Sequence, residues 1–287
     1  MPVFTSPDHR MARSPDSFFA PSSRSHRTYT LSPVNLAFFG GTFDPVHRGH
    51  IAVAESATKH FELGKVLFVP AELPPHKQDH VLSPFAHRLA MVALATQGHP
   101  TFIPSDFEAQ LYAETGKPNF SLETIRRLKS TLKKADKLYF LVGIDAFLDI
   151  ASWHRAAELL KECEFIVASR PGYSLGDIAG ALPEQLRPKP EVLKAASKAG
   201  SGLAPSGAVM AFSGVTLHLL EDVSERVSST QLRSAAASSG RKLEAYVGDA
   251  VAEYIRKMRL YRSAAKSENV STARPPTAAA PKKKSRR

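Results

Sequence analysis

The sequence predicts an α/β fold in which a mostly parallel β-sheet is covered by helices on both faces. Between residues 34 and 262, short apolar runs alternate with stretches that have the period of an amphipathic helix. The apolar runs are nearly continuous, which is typical of strands buried on both faces of a parallel sheet. Together these observations predict a Rossmann-like, doubly wound sheet, in which ligands bind beyond the carboxyl ends of the strands.

Apolar runs and helical stretches follow one another along this part of the chain. Ligand-binding loops are expected after Phe39, Pro70, Gly143 and Ser169, where predicted strands end. The segment 172–211 has no clear period and is predicted to hold a short helix and a mobile loop. The predicted strands are NLAFF, KVLFVP, PTFIPS, KLYFLVG, CEFIVAS and VTLHLLE, and the predicted helices are IAVAESATKHF, FAHRLAMVALATQ, SLETIRRLKSTLKK, RAAELLKE, STQLRSAAA and DAVAEYIRKM.

The two ends of the chain differ in composition from the part between them. Residues 1–33 are rich in Ser, Pro and Arg and carry a net charge of +2, whereas residues 263–287 carry +6. Both are predicted to be disordered extensions of one domain at 34–262. The whole chain has a net charge of +11, which leaves +3 for the domain. This mild charge predicts no specific nucleic-acid face, and the basic tail is expected to contact polyanions only weakly.

Other global features indicate a cytoplasmic protein that does not span a membrane. No stretch approaches the roughly 18 consecutive apolar residues that a membrane helix requires. The N-terminal residues lack the basic start and apolar middle of a secretory signal. The single cysteine, Cys163, excludes a disulfide within the chain and fits a reducing compartment.

The stretch GGTFDPVHRGH joins the first predicted strand to the first predicted helix. Its glycines, Gly40 and Gly41, allow a tight turn and a close approach of main-chain N–H groups to an anion. His47 and His50 lie in the first turn of the helix, and Gly49 leaves the space between their imidazoles open. Because the positive end of the helix dipole lies behind them, these features favour a phosphate site.

Two other interpretations of this stretch stay open. A metal site would use His47 and His50 as ligands and Asp44 as a third, but no HExxH sequence or Cys/His partner set accompanies them. The simplest alternative is a helix cap followed by two surface histidines. GxGxxG is absent, and so is the Lys-Ser/Thr ending of a P-loop, so an ordinary dinucleotide turn is not indicated. No metal site within the protein is predicted.

GGTFDPVHRGH resembles the signature of the HxGH nucleotidyltransferases, and the chain as a whole is more closely similar to bacterial nicotinate-nucleotide adenylyltransferases. One tetrapeptide would be a weak signal, but the motifs occur as a series in order through about residues 34–262. The resemblance implies the HxGH type of the predicted sheet. The further motifs are PPHK (74–77), VGID (142–145), SW (152–153), SRPGY (169–173), SSTQLR (228–233) and the closing YVGDAVAEYIRKMRLY.

The resemblance implies that the 5′-phosphate of nicotinate mononucleotide attacks the α-phosphate of ATP, so that pyrophosphate leaves and deamido-NAD forms. The nucleophile then belongs to the substrate. The protein has to align two polyanions and to stabilise charge on the α-phosphate and the leaving group. The resemblance also implies Mg²⁺ with ATP, and no local motif indicates it.

On the ATP side, the resemblance implies that His47 and His50 bind the phosphates, with His50 nearer the reacting α-phosphate. Lys77 is expected to reach the leaving phosphates, with a solvated loop charge as its alternative, and Arg233 adds a forked donor. Asp145 is expected to hold ribose or adenine, or to cap the helix that follows it. The other residues expected around ATP are Gly40, Gly41, Thr42, Phe43, Gly49 and, at the start of a late helix that they can also cap, Ser229 and Thr230.

On the mononucleotide side, Trp153 is expected to stack on the pyridine ring, and the alternative is a well-buried core residue. Asp44 is expected either to bind the incoming mononucleotide or to fix its loop as an Asx-turn. Two positions depart from the family pattern, since Ala235 stands where another Arg is common and Phe120 where a Tyr is common. The other residues expected here are His76, Ser121, His154 and Arg170.

Two different functions remain as alternatives. The first is the same chemistry on another phosphorylated acceptor, such as nicotinamide mononucleotide or phosphopantetheine. The second is a non-catalytic nucleotide sensor, or a nucleic-acid-associated protein that uses its KKKSRR tail, but the intact HxGH, PPHK and SSTxxR motifs favour catalysis. A homo-oligomer is compatible with the sequence, which does not determine the oligomeric state.

Overall fold

The computed structural model of the chain describes the residues between Pro33 and Tyr261, with five gaps. The predicted extensions at 1–33 and 263–287 lie outside the described residues, except for Pro33. No helix in the described part is long and apolar enough to cross a membrane. The described ranges are 33–73, 82–169, 172–199, 208–221, 228–238 and 243–261.

The strands of the described part form one sheet. They are β1 (Asn35–Gly41), β2 (Lys65–Pro70), β3 (Phe102–Pro104), β4 (Lys137–Gly143), β5 (Glu164–Ala168), β6 (Ala208–Phe212) and β7 (Val215–Leu220). Their order is β3-β2-β1-β4-β5-β7-β6, and all neighbours are parallel except β6 and β7. The strand order therefore reverses between β1 and β4, which is where doubly wound sheets bind ligands. The predicted fold class is confirmed.

Helices of the described part cover the sheet, and all six predicted helices are present. The predicted helix that starts at Ser121 runs on to Lys134 in the sequence pattern but ends at Lys129 in the structure. The Ser130 and Thr131 hydroxyls each donate to a carbonyl oxygen three residues earlier, at 2.7 Å, and such local bonds compete with the helix. The helices are α1 (Arg48–Phe61), α2 (Phe85–Ala95), α3 (Phe107–Thr115), α4 (Ser121–Lys129), α5 (Ile144–Phe147), α6 (Ala156–Glu162), α7 (Leu175–Gly180), α8 (Pro190–Ala199), α9 (Ser229–Ser238), α10 (Leu243–Val247) and α11 (Asp249–Lys257).

Alternate residues of the central strands enter two apolar layers, one on each face of the sheet. Phe38 and Phe140 lie side by side on one face, with ring centroids 5.0 Å apart and an edge-to-face geometry. Their neighbours Ala37, Phe39 and Leu141 lie in the layer on the other face. Because both faces of β1 and β4 are buried, their sequences are nearly continuous apolar runs.

The segment 172–211 differs from the prediction of one short helix and a loop. Its described parts contain α7, α8 and the edge strand β6, while residues 200–207 lie outside the described part. The two residues between β6 and β7 are Ser213, with φ of 48°, and Gly214, with φ of 78°. Positive φ at both positions is the geometry of a type I′ hairpin turn. A Ser-Gly pair between two apolar runs is therefore the signal that predicts this hairpin. The prediction also omits α3 and α10.

Candidate active site

A cavity of about 1000 Å³ lies at the carboxyl ends of β1, β4 and β5. Residues from the loops after these strands line it, together with the first residues of α1, α4 and α9. His76, Lys77 and Arg170 lie outside the described residues, so their roles stay predictions. All other predicted site residues line this cavity: Gly40, Gly41, Thr42, Phe43, Asp44, His47, Gly49, His50, Ser121, Asp145, Trp153, His154, Ser229, Thr230 and Arg233.

The two glycines of the motif are the last residues of β1 and do not form the turn that follows. A Cβ atom at Gly40 would lie 2.7 Å from the Phe38 ring, and one at Gly41 would lie 3.2 Å from the Phe43 ring. The residue of this turn with positive φ is Phe43, at 47°. The prediction of a glycine turn is therefore wrong, because glycine is needed here for space beside aromatic rings.

The start of α1 brings the two histidines of the motif together. His47 is the N-cap residue, and its main-chain N–H donates to Nδ1 of His50 at 3.1 Å. In return, the main-chain N–H of His50 donates to the carbonyl oxygen of His47 at 2.9 Å. The imidazole centroids lie 3.7 Å apart, and Gly49 between them is buried. Both rings line the cavity at the N-terminus of the helix, where the first main-chain N–H groups precede the helical hydrogen bonds.

Both imidazoles are neutral at pH 7. Burial lowers the pKa of His47 to about 4. Burial, together with the neighbouring His47, lowers the pKa of His50 well below its ordinary value. Because Nδ1 of His50 accepts an N–H, the proton of the neutral ring lies on Nε2, which is therefore a hydrogen-bond donor. Nδ1 of His47 is buried and has no hydrogen-bond partner among the described residues.

Asp44 is 1% exposed, and both of its carboxylate oxygens accept hydrogen bonds from the protein. Oδ1 accepts the Tyr261 hydroxyl at 2.5 Å, and Oδ2 accepts the main-chain N–H of Ser83 at 3.1 Å. The carbonyl oxygen of Asp44 accepts Nη1 of Arg233 at 2.8 Å. These contacts favour the loop-fixing alternative over mononucleotide binding. The loop is fixed by residues distant in the chain, not by an Asx-turn.

The start of α9 lies against the same loop. The Ser228 hydroxyl oxygen accepts the main-chain N–H three residues later at 3.3 Å, so this residue, and not Ser229 or Thr230, caps the helix. The Ser229 hydroxyl donates to the carbonyl oxygen of Pro45 at 3.0 Å. Arg233 donates from Nη2 to the Thr230 hydroxyl oxygen at 3.1 Å. The sequence analysis missed Ser228, although it precedes the helix directly and is a residue type that favours caps.

Aromatic side chains also line the cavity. Phe120 precedes α4, and its ring stacks on His154 with centroids 4.2 Å apart. Trp153 is half-buried, and its ring centroid lies 5.9 Å from that of Phe140 in the core. The indole thus packs on the core and also lines the cavity, and its stacking on the pyridine ring stays a prediction. Ser121, the first residue of α4, lies beside them.

Asp145 lies at the carboxyl end of β4, as predicted from the sequence. Helix α5 begins at Ile144 with Gly143 as its N-cap residue, so Asp145 is in the first helical turn and does not occupy the cap. The capping alternative for this residue is therefore wrong. Its carboxylate is exposed and lines the cavity.

Arg88 was not predicted as part of the site, although it is 2% exposed and holds the loops beside the cavity together. Its Nε donates to the carbonyl oxygen of Ser83 at 2.9 Å, and its Nη1 donates to that of Thr42 at 3.0 Å. Further bonds of 2.6 Å and 3.3 Å reach the carbonyl oxygens of Ala71 and Glu72. A single side chain thus joins the loop after β1 to the residues after β2 and before α2. An arginine inside the apolar stretch FAHRLAMVALA is the only signal in the sequence.

Glu108 is a second buried charged residue that the sequence analysis missed. It is 8% exposed and lines the cavity. Burial raises the pKa of its carboxyl group to about 7, against hydrogen bonds from the Glu72 main chain and the Thr124 hydroxyl. Asn119 donates to its carbonyl oxygen at 2.6 Å, which ties the end of the following loop to α3. The cavity therefore contains a carboxyl group that changes its charge near neutral pH.

Glu108→Gln is expected to make the protein less sensitive to pH between 4.5 and 7. In the folded protein the acid ionises near pH 7, and in the unfolded chain near 4.5, so the unfolded chain binds fewer protons in this interval. The wild type therefore loses stability as the pH rises through it, by on the order of 3 kcal/mol, whereas the variant does not. Urea denaturation at several pH values measures the difference. Glu253→Gln, at an exposed position of α11, is the control, and parallel pH profiles for wild type and Glu108→Gln would contradict the prediction.

Comparisons with known proteins agree with the resemblance read from the motifs. The cytidylyltransferase-like family model matches residues 38–235. A relative named "Probable nicotinate-nucleotide adenylyltransferase" from Geobacter metallireducens is 35% identical over 228 residues, which are 79% of this chain and 98% of the relative. The relative of the same name from Geobacter sulfurreducens is 37% identical over 230 residues, with the same two coverages.

The fold has a counterpart among solved structures. The Plasmodium falciparum nicotinic acid mononucleotide adenylyltransferase complexed with NaAD aligns with a TM-score of 0.57 and 18% identity, over 79% of this chain and 97% of that chain. At this identity the likeness supports the fold alone. On the family match and the identities to the Geobacter proteins over nearly their whole length, the chain belongs to the cytidylyltransferase-like proteins and, among them, to the nicotinate-nucleotide adenylyltransferases.

Proposed function

We propose that the protein transfers the adenylyl group of ATP to nicotinate mononucleotide, which yields deamido-NAD and pyrophosphate. One observation carries the proposal. Two neutral imidazoles at the start of α1 share a cavity of about 1000 Å³ with Arg233 and with the half-buried indole of Trp153. A cavity of this size has room for two nucleotides, and its lining includes both phosphate donors and aromatic rings.

The phosphate donors suit an α-phosphate under attack. The mononucleotide phosphate oxygen forms a new bond to the α-phosphorus of ATP, and the bond to the bridging oxygen of pyrophosphate breaks. Charge then builds on the oxygens of the α-phosphate and on the leaving group. The Nε2–H of His50 and the N–H groups of the first turn of α1 are donors for the former, and Arg233 is a forked donor for the latter. None of these groups has to give up a proton.

The aromatic rings suit a mononucleotide. Trp153 offers a ring surface for the pyridine ring, since its other side packs toward Phe140. Ser121 and His154 offer polar atoms at the same end of the cavity. Asp145, at the carboxyl end of β4, is close to the point where the strand order reverses and suits a ribose hydroxyl.

Magnesium enters this proposal with ATP. No group of three or more His, Cys, Asp or Glu residues in the described part of the chain is arranged to hold a metal ion. Mg²⁺ keeps several waters and is commonly held by substrate phosphates with one or two carboxylates, so the Mg²⁺–ATP complex is the form that this cavity fits. The chain's own part is to bind the phosphate oxygens that the metal leaves free. A cytoplasmic location, the domain limits and weak polyanion contacts of the tail stay predictions.

Pyrophosphate release from ATP tests the function directly. Full-length protein with Mg²⁺–ATP is expected to release pyrophosphate with nicotinate mononucleotide, and at a lower kcat/KM with nicotinamide mononucleotide. Omitting Mg²⁺ is expected to suppress release. The dinucleotide product is identified by mass spectrometry, and reactions without acceptor measure background ATP hydrolysis.

The outcomes separate the alternatives. A preference for the amide would overturn the substrate assignment and leave adenylyl transfer standing. Release that is independent of any mononucleotide would indicate ATP hydrolysis. Binding of ATP with no turnover of either mononucleotide would support the nucleotide-sensor alternative instead.

A further inference from the structure

The residues that hold the turn before α1 come from parts of the chain that are far apart in sequence. We call Asp44 with its three partners Ser83, Arg233 and Tyr261 the Asp44 junction. Two partners donate to the carboxylate and one donates to the carbonyl oxygen. Of these contacts, the hydroxyl of Tyr261 makes the shortest one, 2.5 Å to Oδ1. Only Arg233 among the three partners also lines the cavity.

Tyr261 is well placed to control the geometry of this turn. It follows α11 by four residues, and its ring packs against the apolar layer that includes Phe39 and Phe43. Its hydroxyl also lies 3.9 Å from Sδ of Met91. The hydroxyl therefore has the Asp44 carboxylate as its acceptor, and the Ser83 side chain and Arg233 lie near it. Loss of the hydroxyl would leave Oδ1 of Asp44, a residue that is 1% exposed, without its donor.

Asp44 precedes His47 by three residues, and the turn between them sets where both imidazoles lie. Phe43, next to Asp44, lies with its ring centroid 5.0 Å from that of His50. If Asp44 moves, we expect His47 to move with it through the intervening backbone. We expect His50 to move as well, because its ring contacts that of Phe43. Displacements of about 1 Å at a reacting centre can cost up to 10²-fold in rate.

We propose that Tyr261 is a positioning residue for adenylyl transfer, because its hydroxyl fixes Asp44 and thereby the turn that presents His47 and His50. The catalytic consequence rests on the proposed function, whereas the effect on the imidazoles does not. Tyr261 touches no residue that has to move a proton, and it is absent from the described residues that line the cavity. Its contribution is therefore expected in kcat and not in the affinity for ATP.

Tyr261→Phe is the test, and Tyr254→Phe is its matched control. Tyr254 lies on α11, is also half-buried, and hydrogen-bonds through its hydroxyl to Nδ1 of His87 on α2 at 2.8 Å. Both variants lose one hydroxyl contact near the C-terminal end of the domain, and similar decreases in Tm are expected. Only Tyr261→Phe is expected to lower kcat, by about tenfold or more, with KM for ATP within about twofold of wild type.

Imidazole NMR signals give a readout that does not depend on turnover. In the ligand-free protein, Tyr261→Phe is expected to shift the Cε1–H signals of His47 and His50, whereas Tyr254→Phe is expected to shift that of His87. Asp44→Asn is the second variant, used if Tyr261→Phe fails to fold. It replaces the charged acceptor of the Tyr261 hydroxyl with a neutral one and removes one of the two acceptor oxygens. It is expected to move the same two signals.

Unchanged His47 and His50 signals in these variants, or equal losses of kcat in Tyr261→Phe and Tyr254→Phe, would overturn the proposal. Shifted signals in a protein that turns over no mononucleotide would leave the positioning role standing and refute the proposed function. Shifted signals with kcat within twofold of wild type would show that the turn moves without consequence, which also overturns the proposal.

Discussion

His50→Ala is expected to lower kcat by about 10²–10³-fold, the cost of removing one donor from a site of developing negative charge. The physical reason is the state of the ring in the free protein. His50 is neutral, and its Nδ1 accepts the His47 N–H, so its Nε2–H is held ready as a donor. Steady-state kinetics with Mg²⁺–ATP and nicotinate mononucleotide measure the loss, and KM for ATP is expected to change much less than kcat.

A second variant distinguishes a hydrogen-bond donor from a general acid. In His50→Gln, the amide nitrogen of the side chain can take the place of Nε2 and remains a neutral donor. This variant is expected to keep more activity than His50→Ala. His60→Ala is the matched control, because His60 lies in the last turn of the same helix and is exposed. Equal activities of His50→Ala and the wild type would contradict the role given to the start of α1.

Arg88→Met is expected to destabilise the protein by about 3–5 kcal/mol, since it removes a buried charge that satisfies several main-chain acceptors. The methionine fills a similar volume but leaves the carbonyl oxygens of Thr42, Ala71 and Ser83 without their donor. Burial already lowers the pKa of Arg88, and nearby acidic groups, chiefly Asp44, oppose that shift. Urea denaturation followed by circular dichroism measures the free energy of unfolding.

The destabilisation expected for Arg88→Met depends on the several N–H donors of the guanidinium as well as on its charge. Arg88→Lys keeps the charge but cannot reach three separate carbonyl groups. We therefore expect its free energy of unfolding to lie between those of the wild type and Arg88→Met. Arg127→Met is the control, because the Arg127 side chain forms an exposed ion pair with Glu114 at 3.5 Å, and we expect the substitution to cost under about 0.5 kcal/mol. If Arg88→Met lowered the free energy of unfolding no more than Arg127→Met does, the stabilising role of the bonds from Arg88 to main-chain carbonyl groups would be refuted.

The strands show how much of the fold follows from the pattern of apolar residues. KVLFVP and KLYFLVG coincide with β2 and β4 from their first residue to their last. Both lie inside the sheet, where burial on two faces demands an apolar run. The apolar pattern does not reveal the edge strand β6, because its residues are alternately half-buried and exposed, and no strand of the described part of the chain lies on its outer side. The Ser213-Gly214 pair, which forms the hairpin turn between β6 and β7, predicts the strand better than its apolar residues do.

The site likewise has residues whose positions follow from local spacing and residues whose positions depend on packing. His47, Gly49 and His50 lie within four residues, so their meeting at the start of a helix follows from helical spacing. The use of Gly40 and Gly41 was misjudged, because what they avoid is the ring of Phe38 or Phe43, and ring positions depend on packing. Phe43 takes the left-handed conformation that the sequence would assign to a glycine.

The alternation of apolar runs with helical periods is a local property, and it sufficed to predict the α/β sheet and the edge at which the cavity lies. The site residues on other loops, such as Trp153 and Arg233, were expected from the family resemblance, and Glu108 and Ser228 were not predicted. The partners of Asp44 could not be predicted in this way, since Tyr261 and Arg233 are 217 and 189 residues away along the chain. The hydrogen bonds from Arg88 to four main-chain carbonyl groups could not be predicted in this way either. Such contacts form only when the sheet brings distant loops to one edge, and a hydrogen bond to a main-chain carbonyl leaves no mark in the residue type that supplies it.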